Sequence, residues 1–246
     1  MRPQAEQTRI EVAWGLNGLR SFLPTSDVVV IVDVLSFSTA VDVAVGRGAA
    51  ILPYPYGELS AAAFAEQQSA VLAQPRQTGG GQLSLSPKSL ESLSPGARIV
   101  LPSPNGSMLS RETGSVATLA GCLRNASAIA QQALSLGRSI AVIAAGERWP
   151  DGGLRPALED LLGVGAIVDR LGRECSPEAE AICAGYRALR GKLGEVIQAL
   201  PSGQELIQAG FAGDVALAVE EDVSGSVPML CDGAYRDATI QDCNDV

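Results

Sequence analysis

The sequence predicts an α/β fold built on a largely parallel sheet, with a helix-rich C-terminal part. Three observations lead there. Residues 28–33 (VVVIVD) form a continuous apolar run rich in β-branched side chains, the mark of a central strand covered on both faces. Strand-like and helix-like runs alternate through the first third of the chain, and such a β-α-β-α rhythm makes neighbouring strands parallel. Apolar residues make up 46% of the chain but aromatics only 4%, so Ala, Val, Leu and Ile must fill the core, and these small side chains suit helices packed closely on a sheet.

The elements follow in order. Residues 10–14 read as a short first strand and residues 28–33 as the buried central one. Residues 37–45 carry apolar side chains three and four apart and read as a helix closed by Gly46 and Gly48. A strand is expected over 49–53 and a helix over 58–68. Residues 74–95, rich in Gly, Pro and Ser, read as a long loop near the site, with room for a short strand. Further strands are expected at 98–101, 115–119, 139–144 and 227–230, and a helix at 125–135. After Gly146 the periodicity turns helical, over 156–170, 177–189, 194–200 and about 203–209. The acidic tail beyond Cys231 is expected to be loosely held. One domain over residues 1–246 is expected, with residues 171–222 as a candidate helical lobe on the sheet.

Composition excludes several function classes. The net charge of −9 and the lack of a basic stripe argue against nucleic acid as a partner. The chain has no histidine, which excludes Ser-His-Asp and Cys-His catalysis, H-E-x-x-H metal sites and histidine phosphoenzymes. Its five cysteines are odd in number and form no C-x-x-C pair, suggesting neither a disulfide framework nor a zinc site. The opening residues MRPQAEQTRI lack the apolar stretch of a signal peptide, and no run reaches membrane-spanning length. A cytoplasmic protein without a membrane partner is therefore expected, and a homodimer for an apolar, Ala-rich chain of this size.

In a parallel sheet, ligands bind beyond the carboxyl ends of the strands, which draws attention to three segments. Asp33 ends the buried strand and is followed by Ser36, Ser38 and Thr39 at the turn into a helix. A carboxylate there suits a hard cation such as Mg²⁺, and the hydroxyls and amides suit an anion. The same residues also suit a helix cap and a polar turn. Residues 102–107 (PSPNGS) follow another strand; Asn105, Gly106 and Ser107 make either a phosphate-cradling loop or an ordinary turn. Residues 146–160 (GERWPDGGLRPALED) bring Glu147, Asp151, Glu159 and Asp160 to one strand end, with Arg148 and Arg155 as cations for an oxyanion. A solvated helix start, where acidic residues are common, is the plainer account.

In this order, DVLSFSTA, SPNGS, and AAG followed by LEDLLGVGAI resemble the 2-phosphosulfolactate phosphatase family of coenzyme M biosynthesis, and SGQELIQAGFAGDVALAVEEDVSGSVP resembles that family's C-terminal pattern. The likeness spans about residues 28–227. It implies a three-layer α/β/α fold, a Mg²⁺ requirement and hydrolysis of a phosphate monoester of a small sulfonated or carboxylated hydroxy acid, 2-phosphosulfolactate giving sulfolactate and phosphate. On matching positions it singles out Asp33, Ser38, Thr39, Asn105, Gly106, Ser107, Glu159 and Asp160. The reading that results has Asp33 with Glu159 or Asp160 on Mg²⁺. Ser36, Ser38, Thr39, Asn105, Gly106, Ser107 and Arg155 face the small anionic phosphorylated substrate. A remaining carboxylate activates water or protonates the leaving alkoxide; direct carboxylate attack giving a phosphoenzyme is the other open route.

The chain departs from the family pattern in two places. Where the pattern reads D-V-L-R-A-T-T, Ser36 and Phe37 replace the arginine and alanine, and serine cannot offer an oxyanion a planar fork. Of a G-N-S-P loop ending only Ser86 and Pro87 remain, preceded by Leu85. A second hypothesis is accordingly a non-catalytic small-anion-binding protein that keeps the fold. A third, a haloacid-dehalogenase-like phosphatase, is opposed by Leu35, where that chemistry needs a second aspartate.

Overall fold

The structure is a computed structural model that describes residues 8–55, 60–76 and 81–239. The chain runs through β1 (Arg9–Trp14), α1 (Gly15–Phe22), β2 (Val28–Val32), α2 (Phe37–Gly46), β3 (Ala50–Pro55), α3 (Ala61–Gln67), β4 (Val71–Leu72), α4 (Pro87–Leu90), β5 (Arg98–Ser103), α5 (Gly106–Glu112), β6 (Ala117–Gly121), α6 (Ala126–Leu136) and β7 (Ser139–Ala144). A short hairpin follows, β8 (Glu147–Arg148) and β9 (Leu154–Arg155). Then come α7 (Leu158–Leu171), α8 (Pro177–Leu189), α9 (Leu193–Ala199), α10 (Pro201–Gln208), α11 (Ala212–Ala218), β10 (Pro228–Cys231) and β11 (Ala234–Asp237).

The main sheet has the order β1-β7-β2-β6-β10-β11-β3-β5-β4. Pairing is parallel within β1-β7-β2-β6 and within β3-β5-β4. The β10–β11 hairpin joins these two blocks through antiparallel pairings on both sides. The fold is thus α/β with a mostly parallel, mixed sheet, and three successive antiparallel steps set the two blocks in opposite directions. Every residue of β2 is buried, as its uninterrupted apolar run requires. Helix α2 is buried along nearly its whole length, from Phe37 to Val45, because it lies between β6, β3 and β11 on one side and α4 and α5 on others.

The C-terminal helices belong to the same apolar core. Tyr186, Leu193, Ile197, Val215 and Ala218 pack in one cluster with Val30, Val32 and Val142 of the sheet. Local signals explain their ends. Ser176 accepts a hydrogen bond from the Ala179 amide at 3.3 Å, Pro177 opens α8, and α7 stops at Gly172, whose φ is +57°.

The structure corrects several expectations. The stretch after Cys231 is not loosely held throughout. Residues 234–237 form β11 in the middle of the sheet, and Ala234 and Tyr235 are fully buried there; residues 240–246 lie outside the described residues. The expected long loop contains α4 and a bridge between Gln74 and Ser84, while residues 77–80 lie outside the described set. Of the helix expected over 58–68, Ala61–Gln67 forms, and residues 58 and 59 are not described. Helices α1 and α11 and the β8–β9 hairpin were not anticipated. Cys231 is disulfide-bonded, which the odd cysteine count did not suggest, whereas Cys122, Cys175 and Cys183 are free. Among the described residues no helix is long and apolar enough to cross a membrane.

Candidate active site

Two buried aspartates tie four loops together. Asp33 follows β2; its Oδ1 accepts from the Phe37 amide at 3.2 Å and its Oδ2 from the Gly106 amide at 2.9 Å, so it joins the start of α2 to the start of α5. Asp160, in the first turn of α7, accepts from the Val34 amide at 2.7 Å and from the Gly146 amide at 2.8 Å. It therefore joins the end of β2 to the end of β7. The approach is close enough to demand glycine at two of these donors. A methyl on Gly106 would overlap the Phe37 ring, and Gly146 has φ +68° with Leu154 and the Arg155 carbonyl packed against its Cα.

Two further carboxylates stand beside this clamp. Glu147 opens the β8–β9 hairpin, paired in register with Arg155, and accepts from Asn105 Nδ2 at 3.2 Å. Glu159, buried next to Asp160, accepts a hydrogen bond from Ser202 of α10 through Oε1. Four acidic side chains in little water repel one another. Burial, then the charges of Asp33 and Glu159, push the Glu147 carboxyl up to about 7. Burial and the Glu159 charge raise Asp33 against the pull of its two amides, and burial with the charges of Asp33 and Glu159 holds Asp160 well above the ordinary carboxylate range. Glu147 and Asn105 also line a cavity of about 360 Å³ with Trp14, Met108 and Leu154, room for a small molecule.

Cations come from two loops. Arg76 reaches in from the segment after β4. Its Nη2 meets Ser36 Oγ, the Leu85 carbonyl at 3.2 Å and Asp214 Oδ2 at 3.1 Å, and its guanidinium lies 5.4 Å from the Phe211 ring centre. Asp214, on α11, is itself held by Ser86 Oγ at 2.6 Å and the Lys88 amide at 3.3 Å. Arg155 stacks 5.7 Å from the Trp149 ring centre and approaches Glu205 at 3.5 Å. In both arginines Nε is buried without a hydrogen-bond partner among the described residues.

The residues singled out in the sequence divide into two groups. Asp33, Asn105, Gly106, Glu159 and Asp160 meet around the ends of β2, β5 and β7, as the three-segment reading expected. Ser36 joins them through Arg76. Ser38, Thr39 and Ser107 sit at the same turns but spend their hydroxyls on the backbone carbonyls of Ile31, Val34 and Leu101, at 3.1, 2.8 and 2.7 Å. Arg76, Asp214 and Ser202 were not singled out. Arg76 was within reach of sequence reasoning, as the only arginine in the Gly- and Ser-rich loop read as lying near the site. Asp214 and Ser202 carry no local signal.

Among the described residues no three acidic or cysteine side chains stand close enough to form a complete metal cage. Mg²⁺ does not require one, since it commonly takes one or two carboxylates and completes its shell with water and substrate oxygens. The all-oxygen donor set and the mutual repulsion at Asp33, Glu147 and Glu159 fit such an ion. Asp33 and Asp160 each have both oxygens engaged by an amide, which leaves their second lone pairs for an ion, whereas Glu159 Oε2 has no hydrogen-bond donor among the described residues.

The chain resembles known proteins over most of its length. The family described as 2-phosphosulpholactate phosphatase matches residues 19–233. The chain belongs to the 2-phosphosulpholactate phosphatase family. It is similar to 2-phosphosulfolactate phosphatase of Methanothermobacter thermautotrophicus, 28% identical over 210 residues that cover 85% of this chain and 88% of the relative. It is also similar to a probable 2-phosphosulfolactate phosphatase of Carboxydothermus hydrogenoformans, 29% identical over 208 residues covering 81% and 84%. The activity class carried by the family's description is that of a phosphoric monoester hydrolase. In this chain the Ser36 hydroxyl meets the guanidinium of Arg76, a residue from a different loop.

Proposed function

We propose that the chain is a Mg²⁺-dependent phosphatase that hydrolyses a phosphate monoester of a small sulfonated or carboxylated hydroxy acid, with 2-phosphosulfolactate as substrate and sulfolactate and phosphate as products. The observation that carries this reading is the gathering of four carboxylates, two incompletely satisfied arginines and the amide-rich turns after β2 and β5 at one place. The names of the two relatives support the substrate.

Glu147 is the general acid of this reading. A carboxyl titrating at about 7 is about half protonated at neutral pH and suits proton donation to a leaving alkoxide. Water attacks phosphorus, the ester P–O bond breaks, Glu147 gives its proton to the departing alcohol oxygen, and the proton shed by the water returns Glu147 to its acid form. The cavity beside Glu147 and Asn105 receives the departing alcohol. Arg76 and Arg155 face the anionic groups. Asp33 and Asp160 hold the loops in register through their amide bonds, which keeps the acid and the cations aimed at one point. Asp33 and Glu159 are the residues that would hold Mg²⁺, whose charge polarises phosphoryl oxygens and offsets their negative charge when bound.

The test is phosphate release from 2-phosphosulfolactate by the purified chain, with Mg²⁺ and after chelation by EDTA. Turnover that requires Mg²⁺ is expected. No phosphate from 2-phosphosulfolactate or from a panel of phosphorylated hydroxy acids, with Mg²⁺ present, sinks the proposal.

A further inference from the structure

We propose that Arg76 is this chain's oxyanion-binding guanidinium, brought to the turn at Ser36 from a separate loop, and that Asp214 of α11 is the residue that positions it. The inference rests on the phosphatase reading for the identity of the substrate, but not for the binding of an anion.

The contacts on Arg76 are lopsided. Ser36 Oγ, the Leu85 carbonyl and Asp214 Oδ2 all meet Nη2. Among the described residues Nε is buried with no hydrogen-bond partner, and no hydrogen bond or ion pair is made by Nη1. A buried guanidinium normally satisfies its donors, because an unpaired buried N–H forfeits its hydration. Here Nη2 is fully used, with Asp214 Oδ2 meeting it as an ion pair outside hydrogen-bond geometry, while no described residue accepts from the remaining donors, as a ligand site requires. The side chain is 16% exposed, so the guanidinium is largely desolvated yet still reachable. Its charge acts on Asp33 and Glu147, the two carboxylates that flank the candidate reaction centre.

The anchor is built rather than incidental. Asp214 is 1% exposed and accepts from Ser86 Oγ and the Lys88 amide, so its orientation is set before it meets Arg76. Phe211, on the same C-terminal segment, lies against the guanidinium. The helical segment thereby fixes a cation contributed by residues far away in sequence. The Ser36 hydroxyl accepts a hydrogen bond from the incoming guanidinium, which ties the cation to the turn after β2. Arginine is suited to the task because its planar fork matches phosphate and sulfonate oxygens.

The test uses the full chain and inorganic phosphate as a probe, by titration calorimetry, alongside KM and kcat for 2-phosphosulfolactate. Arg76→Ala should weaken phosphate binding about 30-fold and raise KM by a similar factor, the size expected for losing one charge-assisted contact. Arg76→Lys, which keeps the charge and guards against misfolding, should recover only part of that loss. Asp214→Asn should raise KM with little change in kcat. Introducing Ser36→Arg into the Arg76→Ala chain should restore phosphate binding to within about 3-fold of the parent, a rescue that a purely structural role for Arg76 does not predict. Phosphate binding equal to the parent in both Arg76 variants overturns the proposal. Loss of phosphate binding in Arg76→Ala in a chain that turns over no 2-phosphosulfolactate sinks the substrate assignment and leaves this inference standing.

Discussion

Replacing Glu147 by glutamine removes a titrating proton while keeping size and the capacity to accept from Asn105, so it isolates the acid–base role. The groups facing Glu147 are Asp33 and Glu159, which raise its pKa after burial, and Arg155 and Asn105, which lower it. With the carboxyl titrating at about 7, roughly half is protonated at pH 7, about 9% at pH 8 and about 1% at pH 9. A general acid works only in its protonated form. The rate of the parent chain should therefore fall about fivefold from pH 7 to 8 and about tenfold from pH 8 to 9. A positioned general acid is worth about 10²–10⁴ in rate, so Glu147→Gln should lose at least about 100-fold in kcat at pH 6.5 and show no alkaline limb with that midpoint. The same shift has a stability consequence. A pKa raised in the folded chain means stability that is fully present below the unfolded value near 4.5 and is lost as pH climbs through about 7, amounting to about 3 kcal/mol. Glu147→Gln should flatten that loss. The assay is kcat from pH 5.5 to 9 with saturating substrate and Mg²⁺, beside urea unfolding at pH 5 and 8. A variant that retains the alkaline limb, or loses less than about threefold in rate, refutes the general-acid role.

Two other substitutions probe the clamp. Asp160→Ala strips the acceptor from the buried Val34 and Gly146 amides. Each orphaned N–H costs about 1–3 kcal/mol, partly offset by relief of repulsion with Asp33 and Glu159, so a net loss of about 3 kcal/mol in urea unfolding at pH 7 is expected. A loss below about 1 kcal/mol would show that the aspartate does not hold the loops. Gly106→Ala drives a methyl into Phe37 and pushes the turn away from Asp33. It should cost about 1–3 kcal/mol by overpacking, and an unchanged Tm would contradict the close approach.

Much of the fold was legible along the chain because it depends on short-range pattern. The unbroken apolar run of β2, the helical spacing of α2 and α8, and the Ser176–Pro177 cap all express local periodicity and capping chemistry. The convergence of the turns after β2, β5 and β7 was legible as well, since strand-ending loops carry Asp33, Asn105 and Gly106, and Glu147. Other features had no local trace. Strand β11 looks like an acidic tail in sequence and becomes central only because Tyr235 and Ala234 find partners on β10 and β3.

Residue types and their order along the chain settled the α/β class, the acidic and histidine-free chemistry, and the family. Tertiary structure alone decided how those residues are used. It turned Asp33 and Asp160 into acceptors for distant amides, spent Ser38, Thr39 and Ser107 on carbonyls, and raised Glu147 to near neutrality by burying it beside two other carboxylates. It also brought Arg76 to Ser36 and Asp214 to Arg76. The physical reason is range. Propensity and capping act over a few residues, whereas hydrogen bonding, desolvation and charge act between whatever groups packing brings together, and that pairing is a property of the folded chain.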